Sequence, residues 1–262
     1  MIFHRTRSTF PAAMRHTAVR RAALAAPIAL VAALTVVGTP VLAAADGEAT
    51  RSASDEERAR LALAHLGVDW PEAGFDGGLI DIAARETAIA DREIARALEA
   101  RDITEQRARV AAALNAINPR VVPEGPGLGY GAIRAARDAT SEAYRIGLLV
   151  MPGGVLEEQS SALATIFTNL STWGRDVAIL LREASRAETP EMARPALEQA
   201  KALTTTMIDG RDGNGDGSVG TAFGEGGLEQ GRAAYRAMLQ AENMNEGALR
   251  RLIRTPENEG RG

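Results

Sequence analysis

Between Asp209 and Gly227 the chain sets oxygen-bearing side chains at alternating positions, Asp212, Asn214 and Asp216, and follows them with Gly217 and Ser218. On a tightly turned backbone such side chains converge on one concavity, which then holds two carboxylates and an amide oxygen. A hard divalent cation asks for such a set, because Ca²⁺ takes about six to eight oxygens at short range. Gly217 supplies the sharp turn, and Ser218 offers its backbone carbonyl. Two more carboxylates stand in reserve: Asp209 just before the run, and Glu225 within Gly224-Glu225-Gly226-Gly227. The eight glycines from Gly210 to Gly227 leave the segment too flexible to serve unless something orders it, since glycine loses the most entropy on fixing. Bound Ca²⁺ is the natural candidate; a metal-free Asp/Asn/Gly turn is the alternative.

From Asp212 onward the order Asp-x-Asn-x-Asp-Gly-x-Val resembles the first eight positions of an EF-hand loop. The resemblance implies ligation by the side chains of Asp212, Asn214 and Asp216 and the carbonyl of Ser218, with Val219 anchoring the loop to the core. It departs at the twelfth position, where a bidentate Glu belongs and Phe223 stands. Glu225, two residues later, reaches back if the glycines lengthen the loop. The stretch from Asp212 through Gly224–Gly227 to Ala234-Tyr235 is also similar to the ending of some bacterial secreted helical proteins. That likeness implies an extracytoplasmic bundle, favours Glu225 as a ligand and implies no particular activity.

Other constellations say less. Glu86 and Glu93 lie seven apart, on nearly the same side of a helix as Ile82 and Ile89. They read as boundary ion pairs with neighbouring arginines; a carboxylate site inside the bundle, for a metal or small ligand, is the other reading. Ferritin-like sites require Glu-x-x-His partners, and after the N-terminal segment the only histidine is His65. His65 reads as a helix C-terminal residue facing the last carbonyls. The run Gly125 to Gly131 shares only its glycines with a phosphate loop. Trp173 and Tyr144 read as core. With no cysteine and one histidine there is no nucleophile–base set and no zinc-type cluster. The expectation is a non-enzymatic protein; a hydrolase working with two carboxylates alone is the alternative.

The first 21 residues hold five arginines and no acid, and an apolar run follows from Ala22 to Val37. Small residues around Ala43 complete the three parts of a secretory signal, whether the chain starts at Met1 or Met14. Residues 1–43 are therefore expected to be an export signal; a retained anchor is the alternative. Cleavage leaves 25 basic residues against 34 acidic, a net charge of −9. That balance excludes the basic footprint nucleic-acid binding needs and suits a periplasmic or secreted protein without stable membrane insertion.

These residues must be positioned by helices, because no stretch alternates with period two. Ser54 with Glu57 forms a capping box before a helix from about Asp55 to Leu66. A second helix runs from about Leu79 to Ala100, and Asp102 caps a third that ends near Ile117, before Asn118-Pro119. A fourth ends near Val150. The fifth, Val155 to about Ala187, is the strongest: Leu163, Leu170, Val177 and Ala184 recur every seven residues, with Ile166, Trp173 and Leu180 three further on. Thr189-Pro190 opens a sixth, which Pro195 should kink. A last helix starts near Gly227. The fold class is all-α, an antiparallel bundle of about six to seven helices with the Gly-rich loop before the last. Residues 44–53 are a tether, 54–250 the bundle including the loop at 209–227, and 251–262 a tail.

Overall fold

The computed structural model describes residues 52–74 and 76–253. The expected export signal, nearly all of the tether, Phe75 and the tail from residue 254 lie outside them. Within the described residues the chain is helical and contains no strand: α1 (Ala53–Gly67), a 3₁₀ turn (Pro71–Ala73), α2 (Leu79–Glu99), α3 (Ile103–Ile117), α4 (Ala132–Leu149), α5 (Val155–Arg186), α6 (Pro190–Asp209), α7 (Leu228–Ala241) and α8 (Glu246–Ile253). None of these helices is long and apolar enough to cross a membrane.

The long helix α5 is the axis of the bundle, and α3, α4, α6 and α7 pack along it. Its seven-residue stripe is the reason. Leu163, Leu170, Val177 and Ala184 are buried, as are Ile166, Phe167, Trp173 and Leu181, while Leu180 is half-buried at the margin. At 1.5 Å per residue the helix spans about 48 Å. Full burial of each large aliphatic on it contributes about 1.5–3 kcal/mol. The second organiser, α2, packs on α1, α3, α4, α6 and α7. Its buried Ala83, Ala90 and Ala97 sit at seven-residue intervals, so neighbouring axes come close without side chains between them. Cross-links show α2 antiparallel to both α3 and α6. Gln106 Nε2 donates to the Ala97 carbonyl at 3.0 Å and Arg109 faces Glu93. Lys201 and Thr204 both reach Asp91, at 2.6 and 2.7 Å, whereas Arg194 lies by the Leu98 carbonyl.

Helix starts follow side-chain chemistry. Asp102 accepts from the amides of Thr104 and Glu105, and Thr189 from Met192. The first cap is Ser52, not Ser54: its hydroxyl accepts from the Asp55 amide at 3.1 Å, and the helix therefore opens two residues earlier than the Ser54/Glu57 pairing predicts. Pro195 sits within α6, which continues to Asp209. An eighth helix goes beyond the expected six to seven. After α7, Asn243 turns through φ 51°, Asn245 Oδ1 accepts from the Ala248 amide at 2.9 Å, and Leu249 is fully buried. Tyr144 is 59 % exposed and not part of the core. The inner face of α4 is the alanine stripe Ala132, Ala135, Ala136, Ala139 and Ala143, and Tyr144 points about 100° away from it.

Candidate metal site

The loop between α6 and α7 has a pinned inner arm and an exposed outer arm. At its base the two helix ends meet without side chains: a Cβ on Gly227 would stand 2.4 Å from the Gly210 amide nitrogen. The Arg211 amide donates to the Glu225 carbonyl at 2.9 Å, and the Gly227 amide to Gln230 Oε1 at 2.9 Å. The inner arm is held by Asn169, a buried side chain of α5. Its Oδ1 accepts from the Gly224 amide at 2.9 Å and its Nδ2 donates to the Ala222 carbonyl at 3.2 Å. Arg211 adds a hydrogen bond to the Gly224 carbonyl and stacks over Trp173, which is buried as expected.

This clamp places the twelfth-position residue and the displaced glutamate differently. Phe223, at the twelfth position, is 75 % exposed, whereas Glu225 is buried. The Glu225 carboxylate turns back between the arms. Its Oε2 accepts from the Gly220 amide at 3.1 Å, and a Cβ on Gly220 would stand 2.5 Å from that oxygen. Gly213, next to Asp212, lies against the Glu225 methylenes, 3.0 Å from where its own Cβ would be. Among the described residues Glu225 has no ion-pair partner.

The outer arm is wound on itself. Asp212 accepts from the Gly215 amide at 2.6 Å and from the Gly217 amide at 2.9 Å. Asn214 Oδ1 accepts from the Asp216 amide, and Asp216 Oδ1 from the amide and hydroxyl of Ser218. Gly217 has φ +88°, the left-handed turn for which glycine is suited. The Gly217 amide, aided by that of Gly215, holds the Asp212 carboxyl below the usual carboxylate range. The Ser218 hydroxyl, with the Ser218 amide and the Asn214 side chain, does the same for Asp216. Both carboxyls are therefore ionised at neutral pH. The donor set is all hard oxygen, but it is not gathered: among the described residues no three His, Cys, Asp or Glu side chains stand close enough together to hold a metal ion. Asp209 ends α6 with its side chain exposed, and Val219 is 37 % exposed, laid against Gly210 and not anchored in the core.

The paired glutamates of α2 part company. Glu93 has the expected boundary ion pairs, with Arg96 at 2.5 Å and Arg109 at 3.5 Å. Glu86 has none; it is fully buried, and its Oε1 accepts from the amides of Tyr130 at 3.2 Å and Gly131 at 2.8 Å. Its other oxygen is buried without a partner. Desolvation pushes the Glu86 carboxyl above its ordinary value, against the pull of the Gly131, Leu128 and Tyr130 amides. Buried Asn115 completes the anchor of the Gly/Pro loop, accepting from the Gly127 amide and donating to the carbonyls of Val122 and Pro123. Sequence reasoning missed Asn115, although a lone amide among Ala113, Leu114, Ala116 and Ile117 was a signal. His65 lies in the last turn of α1, as expected, but its Nδ1 faces Glu142 Oε2 at 3.5 Å, and its ring stands edge-on to Trp70.

Comparison of the chain with models of protein families, with characterised proteins and with solved structures finds no match.

Proposed function

We propose that this is an extracytoplasmic, non-enzymatic helical-bundle protein whose loop from Asp212 to Glu225 binds Ca²⁺ and, once ordered by it, serves a structural or binding role. The observation that carries the reading is Glu225: a buried carboxylate folded into a loop already rich in oxygen donors, with no cation beside it among the described residues. Burial of an unpaired carboxylate is costly, and a divalent cation offsets that cost. Side chains of Asp212, Asn214, Asp216 and Glu225 and the Ser218 carbonyl would hold the ion. The exposed outer arm carries the acids whose carboxylates exchange their amide contacts for it.

Calcium titration followed by thermal unfolding tests this. A loop with a displaced distal Glu is expected to bind at roughly 10⁻⁴ M, the range of weak extracellular modules. At about 1 mM calcium, mass action then adds about 1.4 kcal/mol, raising Tm by about 3–6 °C in a protein of this size. Asp216→Ala should abolish the shift and leave the metal-free Tm nearly unchanged, because the carboxylate is exposed. Glu225→Gln should reduce it, and Gly220→Ala should do so by crowding Oε2. A parent protein whose Tm ignores calcium sinks the proposal.

A further inference from the structure

A cleft of about 90 Å³ opens where the end of α3 meets the start of α4, and its charged lining is entirely basic. Asn118, Pro119 and Arg120 form one side; Tyr130, Arg134 and Arg137 form the other. In a protein carrying more acids than bases this is a local inversion of charge. The walls are fixed before any ligand arrives. Tyr130 is 3 % exposed and accepts from Trp70 Nε1 at 2.6 Å while its hydroxyl donates to Asp138 at 2.5 Å. Arg134 lies over the Tyr130 ring at 4.2 Å and is already matched by Glu72 at 2.6 Å and Asp138 at 3.6 Å. Pro119 presses on Gly131, 2.4 Å from where a Cβ there would stand. Arg120 and Arg137 are different: among the described residues neither pairs with a carboxylate. They supply unspent positive charge at the mouth of a rigid cleft beside the first turns of α4, the positive end of its dipole.

From this geometry we infer that the cleft binds a compact oxyanion, a phosphate or the phosphoryl end of a larger molecule. The space of about 90 Å³ takes one tetrahedral anion, and whatever that anion is attached to stays outside the cleft. Arginine suits it because a planar guanidinium offers paired donors to two oxygens of a phosphate. Arg120 and Arg137 donate to the anion, and Arg134, held over Tyr130, forms the floor. The site is separate from the calcium loop and independent of it.

Titration calorimetry of the purified protein in calcium-free buffer of low ionic strength, with inorganic phosphate in one arm and glycerol 3-phosphate in the other, tests the inference. Saturable one-site binding of phosphate is expected. R120Q/R137Q should weaken it at least about tenfold, the loss of charge-assisted hydrogen bonds. R182Q/R186Q, the same charge change on exposed positions of α5, should leave it within about twofold, since distant surface charges are screened. Binding of both probes makes the ligand a phosphomonoester end; binding of phosphate alone makes it the free ion. Absence of saturable binding in both arms, or an equal loss in R182Q/R186Q, overturns the inference.

Discussion

Glu86→Ala is expected to destabilise the protein by about 2–6 kcal/mol, at about 1–3 kcal/mol for each buried amide left without an acceptor. The two amides are those of Tyr130 and Gly131, and neither donates to a backbone carbonyl among the described residues. Their loss frees the Gly/Pro loop and the first turn of α4 together. Glu86→Gln separates the acceptor from the charge, because a Gln Oε1 still receives both amides. Burial raises the folded carboxyl above its unfolded value of 4.5, so the native state holds that proton more tightly than the unfolded chain. The stability this contributes is fully present below the unfolded value and is lost as pH rises through the folded one. The parent should therefore lose stability relative to Glu86→Gln as pH rises above the unfolded value of 4.5. Urea midpoints of the two proteins across that range measure the difference. A gap that does not widen with pH would mean Glu86 is not a buried, charge-penalised anchor, and a mild Glu86→Ala would mean the loop holds itself.

The contrast between Glu86 and Glu93 shows where sequence stops being informative. Seven residues apart on one helix face, they look equivalent, and periodicity places both against the bundle. What distinguishes them arrives from elsewhere in the chain: Arg109 of α3 comes to Glu93, while the backbone of residues 130 and 131 comes to Glu86. The Gly-rich loop repeats the lesson. Its oxygen-bearing side chains and its glycine turn were legible, because their spacing is local chemistry. The burial of Glu225 was not, since the arm that carries it is held by Asn169 of α5, which takes the Gly224 amide fifty-five residues away. The helices themselves were legible where one strong face dominates, as on α5. The fourth helix was legible too, but its packing face was misread: the large Tyr144 drew attention, whereas the alanines make the contact. The first cap was missed for a similar reason, as Ser52 and Ser54 offer the same hydroxyl and only the geometry selects one.

Gly67→Ala is expected to cost about 3 kcal/mol, the upper end for overpacking a filled core, and to lower Tm by about 6–12 °C. A methyl at this last residue of α1 would stand 2.2–2.3 Å from Cζ, Cε1 and Oη of Tyr235 on α7. The Gly67 backbone itself has no room to retreat. Tyr235 is 4 % exposed, and Gly78, the cap of α2, already lies against the backbone of Gly67, with its own Cβ position 2.4 Å from the Gly67 carbonyl carbon. Three elements therefore cross at one missing side chain. Tyr235→Phe should act oppositely: the buried hydroxyl has no partner, so its removal is expected to be neutral or to stabilise by about 1 kcal/mol. The pair can be tested as a cycle. Tyr235→Ala alone leaves a cavity and costs about 3–5 kcal/mol, but it also vacates the space the new methyl needs. Gly67→Ala/Tyr235→Ala should then be less damaging than the two single costs summed, by at least about 1 kcal/mol, as expected for residues in contact. Strict additivity, or a harmless Gly67→Ala, would show that α7 is not seated on this glycine. The consequence reaches the loop, because α7 begins directly after Gly227, whose backbone closes the loop on Gly210. A helix lifted off Gly67 pulls on that closure, so Gly67→Ala should weaken the proposed calcium response although it touches none of the proposed ligands.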